Sequence, residues 1–107
     1  MPDRPEIVCI CGSTRFVDEM LAANRRLTLA GVIVVAPAVV AHSGDHGADG
    51  VITADQKAAL DTLHLRKIDL ADRVLVVNPG GYVGESTSRE IAYARATGTP
   101  VSFTHPG

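Results

Sequence analysis

The chain has 107 residues, ten Lys and Arg against twelve Asp and Glu, and 46% hydrophobic residues, an ordinary globular composition that reads as one domain over 1–107. Its basic residues are scattered, with only Arg25-Arg26 and Arg66-Lys67 adjacent, so no nucleic-acid polymer is expected as a partner. No apolar run approaches the roughly 20 residues that cross a bilayer, and MPDRPE lacks the apolar core of a signal peptide; no membrane partner and a cytoplasmic location are expected.

The first apolar run is IVCIC (7–11). It is nearly continuous in β-branched and small apolar residues, as in a strand covered on both faces. Cys9 and Cys11 share a face of it, too close in sequence for a disulfide. With no C-x-x-C and no second cysteine pair, they read as small buried apolar residues, and neither a metal nor a cofactor is expected.

CGSTR follows, placing Gly12, Ser13 and Arg15 at a helix start. Free amides and the helix dipole there favour an anion such as a phosphate, and Arg15 offers a bidentate contact. Ser13 or Thr14 also serves as a plain N-cap. Neither G-x-x-x-x-G-K-[ST] nor G-x-G-x-x-G occurs, which excludes a P-loop and a dinucleotide fingerprint.

The first helix carries a stripe of Val17, Met20, Leu21, Asn24 and Leu27 and closes at Gly31. VIVVA (32–36) is the second strand. The segment 37–52 that follows has no clear period and is long for a β-to-α connection, so it is expected to be a mobile lid. Its His42, Asp45, His46 and Asp49 match no standard metal spacing. Thr53 and Gln56 then have capping-box spacing, opening a second helix with Leu60, Leu63, Ile68 and Ala71 as its buried stripe.

RVLVV (73–77) is the third strand, PVSF (100–103) the fourth, and an alanine-rich helix from about Ser86 to Thr97 joins them. Alternating strands and helices give an α/β fold: a single doubly wound, Rossmann/flavodoxin-like three-layer domain with a four- to five-stranded parallel sheet. Ligands in such folds sit beyond the carboxyl ends of the strands. CGSTR, the 37–52 segment and NPGGYVGESTSRE converge on that edge. The last of these presents Gly81, Tyr82, Gly84, Ser86 and Ser88 together with two carboxylates, Glu85 and Glu90. Thr87-Ser88-Arg89-Glu90 also fits a capping box, so Glu90 reads either as a cap or as a carboxylate placed for chemistry. Which of Glu85 and Glu90 faces the crevice stays open.

From VCICGSTR through DLADRVLVVNPGG to ESTSREIAYA, the chain resembles the nucleoside 2-deoxyribosyltransferase-like superfamily, which includes the 2′-deoxynucleoside 5′-monophosphate N-hydrolases. The resemblance implies cleavage of the N-glycosidic bond of a nucleoside or (deoxy)nucleoside 5′-monophosphate, by hydrolysis or base transfer, in a homodimer or higher homo-oligomer. It implies that Glu90 is the nucleophile that forms a glycosyl-enzyme intermediate, and that Ser13 and Arg15, joined by Ser86 or Ser88, hold the phosphate. The aromatic residue those hydrolases carry two positions before the cysteine is Cys9 here, and their sugar-positioning aspartate falls on His64. An imidazole there could protonate a leaving base; a histidine packed among leucines is the structural alternative. The functional alternative is a nucleotide-binding sensor of the same fold that turns nothing over.

Overall fold

The computed structural model describes residues 4–37 and 53–105. In chain order these form β1 (Ile7–Cys11), α1 (Val17–Leu29), β2 (Ile33–Val35), α2 (Ala54–Leu70), β3 (Arg73–Val76), α3 (Glu85–Ala96) and β4 (Val101–Phe103), with short 3₁₀ turns at Thr14–Phe16 and Pro79–Gly81. The four strands make one parallel sheet in the order β2-β1-β3-β4. This is the expected α/β fold, with four strands among the described residues. Segment 38–52, with the expected lid and its histidines and aspartates, lies outside the described residues.

The two-residue period of β1 divides the core into two layers. Val8 and Ile10 point to one face, where Leu75, Val77, Met20, Ala23 and Leu27 complete a cluster under α1. Cys9 and Cys11 point to the other, with Val74, Val76, Ile68, Ile91 and Ala94. One helix thus covers one face while α2 and α3 cover the other. Central β1 has no free edge: Cys9 lies level with Val35 on one side and Val74 on the other. After β1 the chain moves outward to β2, then returns across β1 to β3, so the switch point lies between the carboxyl ends of β1 and β3.

Local signals account for most boundaries. Thr53 caps α2 in a reciprocal box with Gln56, its hydroxyl accepting from the Gln56 amide at 3.0 Å while Gln56 Oε1 accepts from the Thr53 amide at 2.8 Å. Gly31 and Gly98 take positive φ just past the ends of α1 and α3, the left-handed geometry that stops a helix. Two predicted stripes each miss at one position. Leu21 is 61% exposed, and Ala23 fills its place in the core under α1. Leu63 is 48% exposed whereas its neighbour His64 is buried, because His64 and Ile68, four apart, share the face of α2 that meets β1.

Candidate functional site

α3 begins earlier than its S/T-x-x-E pattern suggests. Its N-cap is Gly84 and its first residue Glu85, and no side chain caps it. Thr87 is therefore a buried residue of the first turn and Glu90 stands in the second turn, where every amide already has a helical partner. The capping role read for Glu90 does not survive: it is an inward-facing carboxylate with a side chain only 14% exposed. Glu85 takes the opposite fate. Its side chain is 90% exposed and its only described ion pair is to Arg89 at 3.6 Å, so of the two carboxylates Glu90 alone faces inward.

What Glu90 faces comes from three other elements. Its Oε1 lies 3.7 Å from Nε2 of His64 on α2. The same nitrogen lies 3.2 Å from Sγ of Cys11 and 3.8 Å from Sγ of Cys9. Both cysteines are free and fully buried. The other ring nitrogen of His64, Nδ1, is buried and has no hydrogen-bond partner among the described residues. A file of heteroatoms thus runs along the α2/α3 face of β1 to the carboxyl edge of the sheet.

The ionisation of these groups is mutually set. Burial raises the Glu90 carboxyl above its ordinary range, and the His64 charge offsets part of that rise. Burial pushes the His64 imidazole down, but Cys9 and the Glu90 carboxylate push it up, and the net direction is upward. The Cys9 thiol is pulled down to about 6, first by a hydrogen bond from Cys11 and then, against burial, by His64. Cys11 moves up, because it is the donor to Cys9 and is itself buried beside Glu90. Both groups thus shift upward, Glu90 chiefly through burial and His64 through its sulfur and carboxylate neighbours.

The other predicted site residues separate into two places. Arg15 lies over the Tyr82 ring, 4.6 Å from its centroid, and Phe16 meets that ring edge-on at 5.7 Å. This stack joins the CGSTR turn to the glycine loop and leaves the Arg15 side chain exposed. Gly84 is part of the same contact, since a Cβ there would meet the Tyr82 hydroxyl at 3.2 Å. Ser13 caps the 3₁₀ turn, its Oγ accepting from the Arg15 amide at 3.2 Å. Gly12 lies beneath, where a Cβ would sit 3.0 Å from the Val77 carbonyl. Its need for glycine is therefore steric.

Ser88 and Gly81 lie elsewhere. With Asn78, Val83, Arg95 and Phe103 they line a crevice of about 370 Å³ between α3 and the β4 side of the sheet, and Glu90 is not among its lining residues. Residues two apart on a helix point to opposite sides, so Ser88 does not share Glu90's surroundings. Ser86, one turn before Glu90, does lie on its face; its Oγ accepts from Arg89 at 3.3 Å. Of the two serines, Ser86 is the one that shares Glu90's face of α3. Asp61 and Asp69, the nearest aspartates on α2, are engaged in pairs: Asp61 with Lys57 at 2.9 Å, and Asp69 with Arg66 at 2.9 Å and the Tyr93 hydroxyl at 2.6 Å. The structure leaves His64 as the α2 group that meets Glu90. The residues that sequence reasoning passed over are Cys9 and Cys11. Their shared face was legible, but the imidazole that meets them lies 53 residues from Cys11.

Scans against protein-family models, curated proteins and solved structures return no match.

Proposed function

We propose that the protein cleaves the N-glycosidic bond of a nucleoside or (deoxy)nucleoside 5′-monophosphate, with Glu90 as nucleophile and His64 as acid. The observation that carries this reading is the Glu90–His64 pair, 3.7 Å apart at the carboxyl edge of a parallel sheet, with Glu90 released from any capping duty. An oxocarbenium-like transition state calls for a carboxylate beside the anomeric carbon. In the first step a Glu90 oxygen bonds to that carbon as the glycosidic C–N bond breaks. The departing base takes the bond's electron pair and a proton from the His64 imidazolium. Water, deprotonated by the neutral imidazole, then releases the sugar and regenerates the Glu90 carboxylate. Arg15 on its Tyr82 platform, Ser13 and Ser86 are the residues assigned to the phosphate; the free amides of the first turn of α3 favour the same charge.

The test is release of free base from a panel of nucleosides and ribo- and deoxynucleoside monophosphates, followed chromatographically. Glu90→Gln keeps the shape and is expected to abolish release, by a factor on the order of a thousand or more for loss of a covalent nucleophile. Release from the Glu90→Gln variant at the parental rate sinks the assignment. A second reading has its own observation: the crevice lined by Ser88, Arg95 and Phe103 excludes Glu90. Saturable nucleotide binding there without base release, weakened by Arg95→Ala and indifferent to Glu90→Gln, would make the domain a sensor.

A further inference from the structure

The polar file on β1 gathers three ligating side chains around one ring nitrogen. His64 Nε2 has a single valence to offer, one proton or one lone pair. Three groups nevertheless crowd it: Cys11 Sγ at 3.2 Å, Cys9 Sγ at 3.8 Å and Glu90 Oε1 at 3.7 Å. On the far side of the ring, Nδ1 has no partner among the described residues. A disulfide does not relieve the crowding. Residues two apart on a strand are separated by about 6.5 Å, whereas a disulfide needs its Cβ atoms about 3.5–4.5 Å apart.

A cation among them would engage both sulfurs and the imidazole at once. The sulfurs of Cys9 and Cys11 and a ring nitrogen of His64 all lie within 4.8 Å of one another. Tetrahedral zinc, with bonds of about 2.3 Å to sulfur and about 2.0–2.1 Å to nitrogen, has S···N edges of about 3.6 Å and N···O edges of about 3.4 Å. The observed S···N separations of 3.2 and 3.8 Å bracket the first value, and the His64–Glu90 separation of 3.7 Å lies near the second. Two thiolates and an imidazole are also the donor set that selects a soft or borderline ion over magnesium or calcium. We propose that Cys9 Sγ, Cys11 Sγ and His64 Nε2 bind a zinc-class thiophilic divalent cation, with the Glu90 carboxylate beside the site, 3.7 Å from Nε2. On binding, the sulfurs ligate as thiolates and Nε2 of His64 as neutral imidazole, and the displaced protons, any on Nε2 included, pass to solvent. The partly exposed Glu90 carboxylate at the sheet edge marks the way in.

The site has a consequence that rests on the glycosidase reading. An ion held on His64 Nε2 takes the acid and lies beside the nucleophile, 3.7 Å away in Glu90, so zinc is an inhibitor of base release and the ion-free protein is the active form. Metal binding itself is independent of that reading and is tested without substrate.

The reduced, chelator-treated chain is titrated anaerobically with Co²⁺. One ion per chain is expected, with the thiolate-to-cobalt charge-transfer absorption of a tetrahedral site and displacement by Zn²⁺. Cys9→Ala and Cys11→Ala should each remove about half of that absorption and the double variant all of it, since it counts thiolate bonds. Glu90→Gln should keep the absorption and weaken Zn²⁺ binding on the order of tenfold, the lower end of what a lost supporting group costs a metal site. Should a cysteine variant not fold, alkylation of the parent decides: Zn²⁺ must slow modification of both thiols. Absence of the charge-transfer band in a folded parent, its survival in the double variant, or thiols that Zn²⁺ leaves unprotected would each overturn the site. Base release by chelated protein that gives no cobalt band removes the metal site and leaves the nucleophile standing. A cobalt band without base release from chelated protein does the reverse.

Discussion

Gly12→Ala isolates the packing of the switch point from its chemistry. The added Cβ would sit 3.0 Å from the Val77 carbonyl oxygen, 3.3 Å from Met20 Sδ and 3.5 Å from Val77 Cβ. The Met20 contact is cheap, because the end of a flexible side chain can turn away. The Val77 carbonyl is harder to move: the Val77 amide donates to Cys11 O at 2.9 Å, and the next residue, Asn78, is fixed by Thr104 and His105. Forcing a methyl into such a contact costs about 1–3 kcal/mol. Against this, alanine restricts the unfolded chain and returns about 0.4–1 kcal/mol. The net expectation is a loss of about 1 kcal/mol, which for a domain of this size lowers Tm by about 4–8 °C. Urea unfolding followed by far-ultraviolet circular dichroism measures it, with Met20→Ala as the second arm of a double-mutant cycle. Because backbone dominates the clash, Met20→Ala should not restore the loss. A Gly12→Ala variant as stable as the parent would refute the steric account, and full restoration by Met20→Ala would transfer the clash to the sulfur.

Two further outcomes test other joints of the fold. Arg4 donates to both carboxylate oxygens of Asp72, at 2.8 and 3.0 Å, and the Ile7 amide donates to the same group at 2.8 Å. These bonds hold the Asp72 carboxyl at about 2, below its ordinary 3.8. Between those values the unfolded chain binds the extra proton, so this contribution is present above about pH 3.8 and is lost as pH falls through about 2. Acid unfolding should lose that limb in Asp72→Asn, and an unchanged acid profile would show that the bridge contributes nothing. Thr53→Ala removes the hydroxyl of the α2 capping box and should cost about 1 kcal/mol in thermal or urea unfolding, with Thr53→Ser largely neutral; equal losses in both variants would point to the methyl instead.

How much of this was legible in the sequence depends on how local the deciding physics is. β1 and β3 were, because a strand buried on both faces must be continuously apolar, whereas β2 and β4 were legible as short apolar runs although neither contains a buried residue; the Thr53–Gln56 box was, because both partners lie within one turn. The start of α3 was not. Thr87 and Glu90 have capping spacing, yet the helix opens two residues before Thr87 from a glycine that offers no side chain. Glycine is itself an acceptable N-cap, and the sequence pattern does not say which start prevails. The α2 stripe missed at Leu63 for a related reason, while Ile68 is buried as expected. Leu63 and His64 are both compatible with the helical period, and hydropathy alone favours leucine. The choice is made by what β1 presents to that helix, two sulfurs rather than two more valines, and that is a tertiary fact. The same limit hid the cysteine–histidine cluster and the separation of Ser88 from Glu90.

The two faces of β1 carry the remaining argument. Val8 and Ile10 show what suffices to pack a central strand against a helix, and Leu75 and Val77 continue that pattern on the neighbouring strand. On the opposite face the strand presents Cys9 and Cys11, and α2 meets them with an imidazole. Aliphatic side chains at these three positions would bury more apolar surface and leave no polar atom unpaired. The His64 ring carries a buried nitrogen without a described partner, so packing gains nothing from the exchange. The four heteroatom-bearing side chains also do not scatter. They run in one file from Cys9, in the middle of the strand, past Cys11 and His64 to Glu90 at the carboxyl edge. That is the end of the sheet where ligands of this architecture sit. A purely structural account has to accept the lost packing at those three positions with no return. The proposed site, a bond-breaking carboxylate open to capture by a thiophilic ion, would use all four groups and the direction in which they point.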